Sequence, residues 1–151
     1  MIIRTTLCIA ALAISVNAAV AQSDPVEERA ELMNAQGKYF YGPILRDMVS
    51  EKAPYDQAVV DEAFAILAKT TKELPHLFPE SAKGQPTKGS YYASPKVWEN
   101  KADVDARFAE FVKIVAEQVP KAKSLAGLKE AFPAVRKSCD GCHEIYRLKK
   151  G

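Results

Sequence analysis

Apolar and small residues recur at three- and four-residue intervals along most of the chain, the period of an α-helix with one buried face. Over about 24–50 the stripe is Val26, Ala30, Met33, Gly37, Phe40, Ile44 and Met48, and Gly42-Pro43 inside it predicts a bend. A second helix is expected from Asp56, a suitable N-cap, to Leu74 before Pro75, with Val60, Phe64, Leu67, Thr71 and Leu74 inward. A third follows Ser94-Pro95 and carries Val104, Phe108, Phe111, Val115 and Val119; Pro120 kinks or ends it. A fourth runs from about Ser124 to about Leu148, with Leu125, Leu128, Phe132, Val135, Cys139, Cys142 and Tyr146 inward and a bend at Pro133. No stretch sustains the alternation of a strand. Four amphipathic helices predict an all-α fold, an antiparallel up-down-up-down four-helix bundle. The connection over 75–94 is long, and Leu77, Phe78, Tyr91 and Tyr92 give it surface to bury, so it is expected to be ordered.

The first 21 residues stand apart from this pattern. Arg4 precedes a short apolar run, Leu7 to Val16, and Ala19-Val20-Ala21 is a small-x-small cleavage signal. Residues 1–21 are therefore expected to be a secretory leader, cut to release one domain over 22–151 into the periplasm. No second long apolar run follows, so no membrane span is expected after cleavage. The chain is 48% hydrophobic and 26% charged, with a formal net charge of +2, which supports no nucleic-acid reading. No G-x-G-x-x-G or G-K-[ST] string is present.

Removal of the leader takes Cys8 with it and leaves Cys139 and Cys142, within Cys139-Asp140-Gly141-Cys142-His143. One close pair is not a disulfide scaffold. C-x-x-C-H is the pattern of covalent c-type haem attachment: two thiols a helical turn apart meet the two vinyl groups, and the adjacent imidazole reaches the iron. Because both cysteines continue the inward stripe, one haem c, bound through two thioethers, is expected between the helices. A thioredoxin-like pair would need a strand-to-helix setting, and a zinc site on Cys139, Cys142, His143 and His76 lacks a second ligand pair at finger-like spacing.

Iron held by His143 either keeps an open site for a gas or takes a second protein ligand and carries electrons. Met33, Met48 and His76 are the candidates. In the expected bundle the start of the first helix lies beside the end of the fourth. His143 is roughly 8 Å from that end and Met33 roughly 13 Å from the start, whereas Met48 is roughly 36 Å along, at the far end. His76 competes from the matching end of the second helix, beyond Pro75, and an open site remains the third possibility.

These features resemble the cytochrome c prime family, the class II c-type cytochromes, over essentially the whole of 22–151. The likeness is strongest at Cys139-Asp140-Gly141-Cys142-His143-Glu144-Ile145-Tyr146-Arg147, and extends to Leu32-Met33, Pro54-Tyr55-Asp56-Gln57, Leu74-Pro75-His76-Leu77-Phe78-Pro79 and Ser94-Pro95-Lys96-Val97-Trp98. The low-spin branch looks most similar. The resemblance implies thioethers on Cys139 and Cys142, His143 as proximal ligand, Met33 as distal ligand, and Arg147 as the cation that the family places four residues beyond the histidine. It also implies pairing of chains through the first two helices in some members, which leaves monomer or homodimer open. The expected function is a periplasmic single-electron carrier serving redox partner proteins, with no catalytic turnover. The alternative is a five-coordinate haem protein that binds nitric oxide or carbon monoxide. Trp98, Tyr91 and Tyr92 are expected to pack the long loop onto the bundle. Lys121, Lys123, Lys137, Lys149 and Lys150 are expected to be a solvated charge run rather than a docking face.

Overall fold

A computed structural model describes residues 24–151; the expected leader lies outside them. The chain forms α1 (Pro25–Phe40), α2 (Pro43–Val49), α3 (Gln57–Glu73), β1 (Tyr91–Ala93), α4 (Lys96–Glu99), α5 (Lys101–Gln118), α6 (Leu125–Tyr146) and β2 (Arg147–Lys149), with 3₁₀ turns at Leu74–His76 and Glu80–Ala82. The long helices α1, α3, α5 and α6 make the antiparallel four-helix bundle: α1 packs on α3, α3 on α5, and α5 on α6. Side-chain caps start three of them. Asp24 accepts from Val26 N at 2.9 Å, Asp56 from Ala58 N at 2.9 Å, and Ser124 from Gly127 N at 3.1 Å.

Three expectations are corrected. The predicted bent helix over 24–50 is two helices. Tyr41 N and Gly42 N both donate to Gly37 O, and Pro43, lacking an N–H, starts α2 afresh. A Cβ on Gly42 would lie 2.3 Å from Lys38 O, so only glycine permits this turn. The third helix is likewise preceded by the four-residue α4. The last helix ends at Tyr146 instead of Leu148, because Arg147–Lys149 leave it to pair antiparallel with Tyr91–Ala93. Strands of three residues are too short to show a two-residue period. By contrast, α6 runs unbroken through Pro133.

The main core gathers Phe40, Leu45, Met48, Phe64, Leu67, Leu128 and Val135. Phe40 stands edge-on to Phe64 at 5.8 Å and stacks on Phe132 at 6.0 Å. Two smaller clusters, Leu32 with Leu74 and Leu77, and Val97 with Val104 and Tyr146, lie apart from it. The long connection is ordered as expected: Leu77 and Ala82 are buried and Phe78 packs against Trp98 and Phe108. No helix among the described residues is long and apolar enough to cross a membrane.

Candidate haem-binding site

A cavity of about 510 Å³ is lined by side chains from all three clusters. This lies within the size range of cofactor pockets. Helix α6 supplies Cys139, Cys142 and His143, α1 supplies Met33, and β2 supplies Arg147. The structure therefore brings all five expected site residues to one cavity. The α1 stripe read from the sequence explains part of this: Ala30, Met33, Gly37 and Phe40 line the cavity, joined there by Arg29 and Gln36 from beside the stripe. Arg147 is at the site, but on β2 and not on the helix expected to run to about Leu148. Its guanidinium lies 4.5 Å from the Tyr91 ring centroid. Tyr91 and Tyr92 line the cavity and Trp98 does not; its indole donates to Pro79 O at 3.0 Å.

The other candidate ligands lie elsewhere. Met48 is buried in the main core, and His76 is exposed in the 3₁₀ turn; neither lines the cavity. Among the described residues, no group of three or more His, Cys, Asp or Glu is placed to hold a metal ion by itself. The five lysines do not gather into one face. Lys121 and Lys123 precede α6 and Lys149 and Lys150 follow it, and its 22 residues span about 33 Å. Lys123 is paired with Asp61 at 2.7 Å.

The electrostatics of the site favour neutral donors facing an anionic ligand. Burial, reinforced by the Arg147 charge, lowers the His143 pKa to about 4, so its imidazole is neutral with a free lone pair. Its Nδ1 is buried without a hydrogen-bond partner. Burial also pushes the Cys139 thiol up to about 12 and raises Cys142. These thiols lie in the last third of a helix, not at the N-terminal end that would stabilise a thiolate. Arg29, Lys38 and Arg147 line the cavity, and among the described residues no carboxylate does.

Arg29, which the sequence reading missed, is 5% exposed. Its Nη1 donates to Leu77 O at 2.7 Å, the guanidinium sits 4.7 Å over the Phe78 ring, and Nη2 is buried without a partner. Gln36 and Tyr41 were also missed. Tyr41 donates to Asp140 Oδ1 at 2.5 Å, lies under Arg136 at 3.9 Å, and has its ring 6.2 Å from that of His143. Burial raises its pKa, and the bond to Asp140 adds to the rise.

Two thiols and a neutral imidazole on one helix, a facing thioether, apolar walls and unpartnered buried cationic hydrogen fit a flat apolar macrocycle with acidic side chains. They define a c-type haem protein built on a helical bundle. Comparison with known proteins agrees. The Cytochrome C' family model matches residues 24–147. Cytochrome c-556 of Rhodopseudomonas palustris is 37% identical over 150 residues, covering 99% of each chain. A solved structural model of oxidised R. palustris cytochrome c556 superposes with a TM-score of 0.73 at 38% identity, covering 86% of this chain and all of that one. Cytochrome c' from the same organism gives 0.74 at 33% identity, again with 86% and 100% coverage. The chain belongs to the cytochrome c' family of haem c proteins.

Proposed function

We propose that this protein is an exported single-electron carrier whose iron is held between His143 and Met33. One observation carries the reading: of the methionine and histidine candidates, Met33 and His143 line the cavity with both cysteines, while Met48 and His76 do not. Cys139 and Cys142 would hold the haem through two thioethers, each S–H adding across one vinyl double bond so that sulfur goes to one carbon and hydrogen to the other, with no net oxidation. When bound, the haem supplies an iron that takes one electron from a reduced partner protein and gives it to an oxidised one. His143, neutral in its buried setting, would donate from a ring nitrogen and Met33 from sulfur, a ligand that favours the ferrous state and a higher potential. Arg29, Lys38 and Arg147, the cations that line the cavity, would offset the charge of the haem's acidic side chains.

The export reading adds the 1–21 leader, cleaved to release the domain into the periplasm. The family match beginning at residue 24, just beyond the expected cut, supports it.

The optical spectrum of the haem-loaded protein tests the ligand pair. A low-spin signal with a thioether–iron charge-transfer band is expected, turning high-spin in Met33→Ala and staying low-spin in Met48→Ala and His76→Ala. A high-spin ferric wild type whose ferrous form quickly takes up carbon monoxide would reject the carrier reading in favour of gas binding.

A further inference from the structure

Gln36 sits one turn beyond Met33 on α1, on the same helical face. Its Nε2 lies 3.0 Å from Met33 Sδ. A thioether sulfur accepts hydrogen bonds and cannot donate, so the amide nitrogen is the end that must face it. The side chain is 7% exposed and lines the cavity, and its Oε1 is buried without a partner. Leucine or methionine would fill the same space without leaving a carbonyl unsatisfied, so packing alone does not account for glutamine here.

We infer that Gln36 is a positioning residue for the Met33 thioether, fixing its rotamer and setting its donor strength through an N–H···S hydrogen bond. The inference rests on Met33 as the distal ligand. A thioether sulfur has two lone pairs, so one can face the iron while the other accepts from Gln36. The bond draws electron density from the sulfur, and in a buried site it is little weakened by competing water. A poorer sulfur donor stabilises the ferric ion less, so the bond shifts the couple toward the ferrous form. It also holds the flexible methionine in one rotamer, which keeps sulfur at the site when an external ligand competes.

The test uses haem-loaded, exported protein with Gln36→Leu and Gln36→Met, two apolar replacements of similar size that cannot donate. Helical content by far-ultraviolet circular dichroism confirms the fold of each. In a spectroelectrochemical titration both variants are expected to have a lower potential, with the ferrous-to-ferric ratio at fixed poise falling about threefold. Both ferrous variants are also expected to capture carbon monoxide faster. Outright conversion of both folded variants to high-spin would support the same role more strongly. Potentials and capture rates equal to wild type, with the low-spin spectrum retained, would overturn the inference and leave the Met33 reading standing. A wild-type protein that is already high-spin would overturn the Met33 reading itself.

Discussion

Arg29 ties the first helix to the long connection by a hydrogen bond to a carbonyl 48 residues away and by lying over the Phe78 ring, and the face it shares also forms the cavity wall. Replacement by methionine keeps the stem and removes the donor. Leu77 O is then left without this hydrogen bond in a buried setting, a cost of about 1–3 kcal/mol. Arg29→Met is therefore expected to lower the melting temperature of the haem-loaded protein by several degrees, whereas Lys38→Met, at a more exposed position, leaves it nearly unchanged. Equal melting temperatures for Arg29→Met and wild type would show that the contact to Leu77 adds no net stability. Residues of this kind mark where sequence reading stops. Cys139, Cys142 and His143 were legible because their chemistry is written in five consecutive positions. The place of Met33 at the cavity was legible because helical rise puts it at the depth of His143. Arg29 and Gln36 are polar residues whose burial depends on Leu77 O and on Met33 sulfur, and an apolar stripe passes over them.

Among the elements, α6 matters most, since it carries three of the site residues, and its start is built without tolerance. A Cβ added at Gly127 would fall 1.7 Å from Lys121 O and 2.7 Å from Lys121 C, both backbone atoms. The turn before α6 must move to admit it. Gly127→Ala, although it raises helix propensity, is expected to destabilise by about 1–3 kcal/mol through this overlap. Chemical denaturation read by circular dichroism checks this, and an unchanged or raised midpoint would show that the turn yields freely. The four main helices were legible because each has its own period and several have local caps, as Asp56 and Ser124 show. Their ends were less so. Whether α6 stops at Tyr146 or Leu148 is decided by Tyr91–Ala93, more than fifty residues earlier, which offer the backbone a strand partner in place of another helical turn. The break at Tyr41–Gly42 was foreseen as a bend, since Gly-Pro marks the place but not the extent of the interruption.

At the scale of the whole molecule, exposed carboxylates add polar ties between elements that the apolar clusters already join. Asp103 on α5 accepts from Tyr146 at the end of α6 and from Arg107, each at 2.6 Å. Asp61 on α3 accepts from Lys123, just before α6, at 2.7 Å, and Glu51, after α2, pairs with Lys129 on α6. Each partner holds its carboxyl below the usual range: the Tyr146 and Arg107 bonds for Asp103, the Lys123 and Gln57 bonds for Asp61, and the Lys129 bond for Glu51. A carboxyl whose folded pKa lies below its unfolded value binds its proton more readily once the chain unfolds. Its stabilising contribution is therefore complete above the unfolded value, near pH 4, and is lost as the pH falls through the folded value. Thermal stability of the haem-loaded protein, followed by helical circular dichroism, is accordingly expected to be level with respect to these three groups from about pH 5 to 8 and to decline below about pH 4. All three carboxyls are open to solvent, so added salt should reduce their share of that decline. The combined variant Glu51→Gln, Asp61→Asn and Asp103→Asn should melt slightly lower at pH 7 and lose less on acidification. An acid decline as steep in the triple variant as in wild type would place the acid-sensitive groups elsewhere in the bundle.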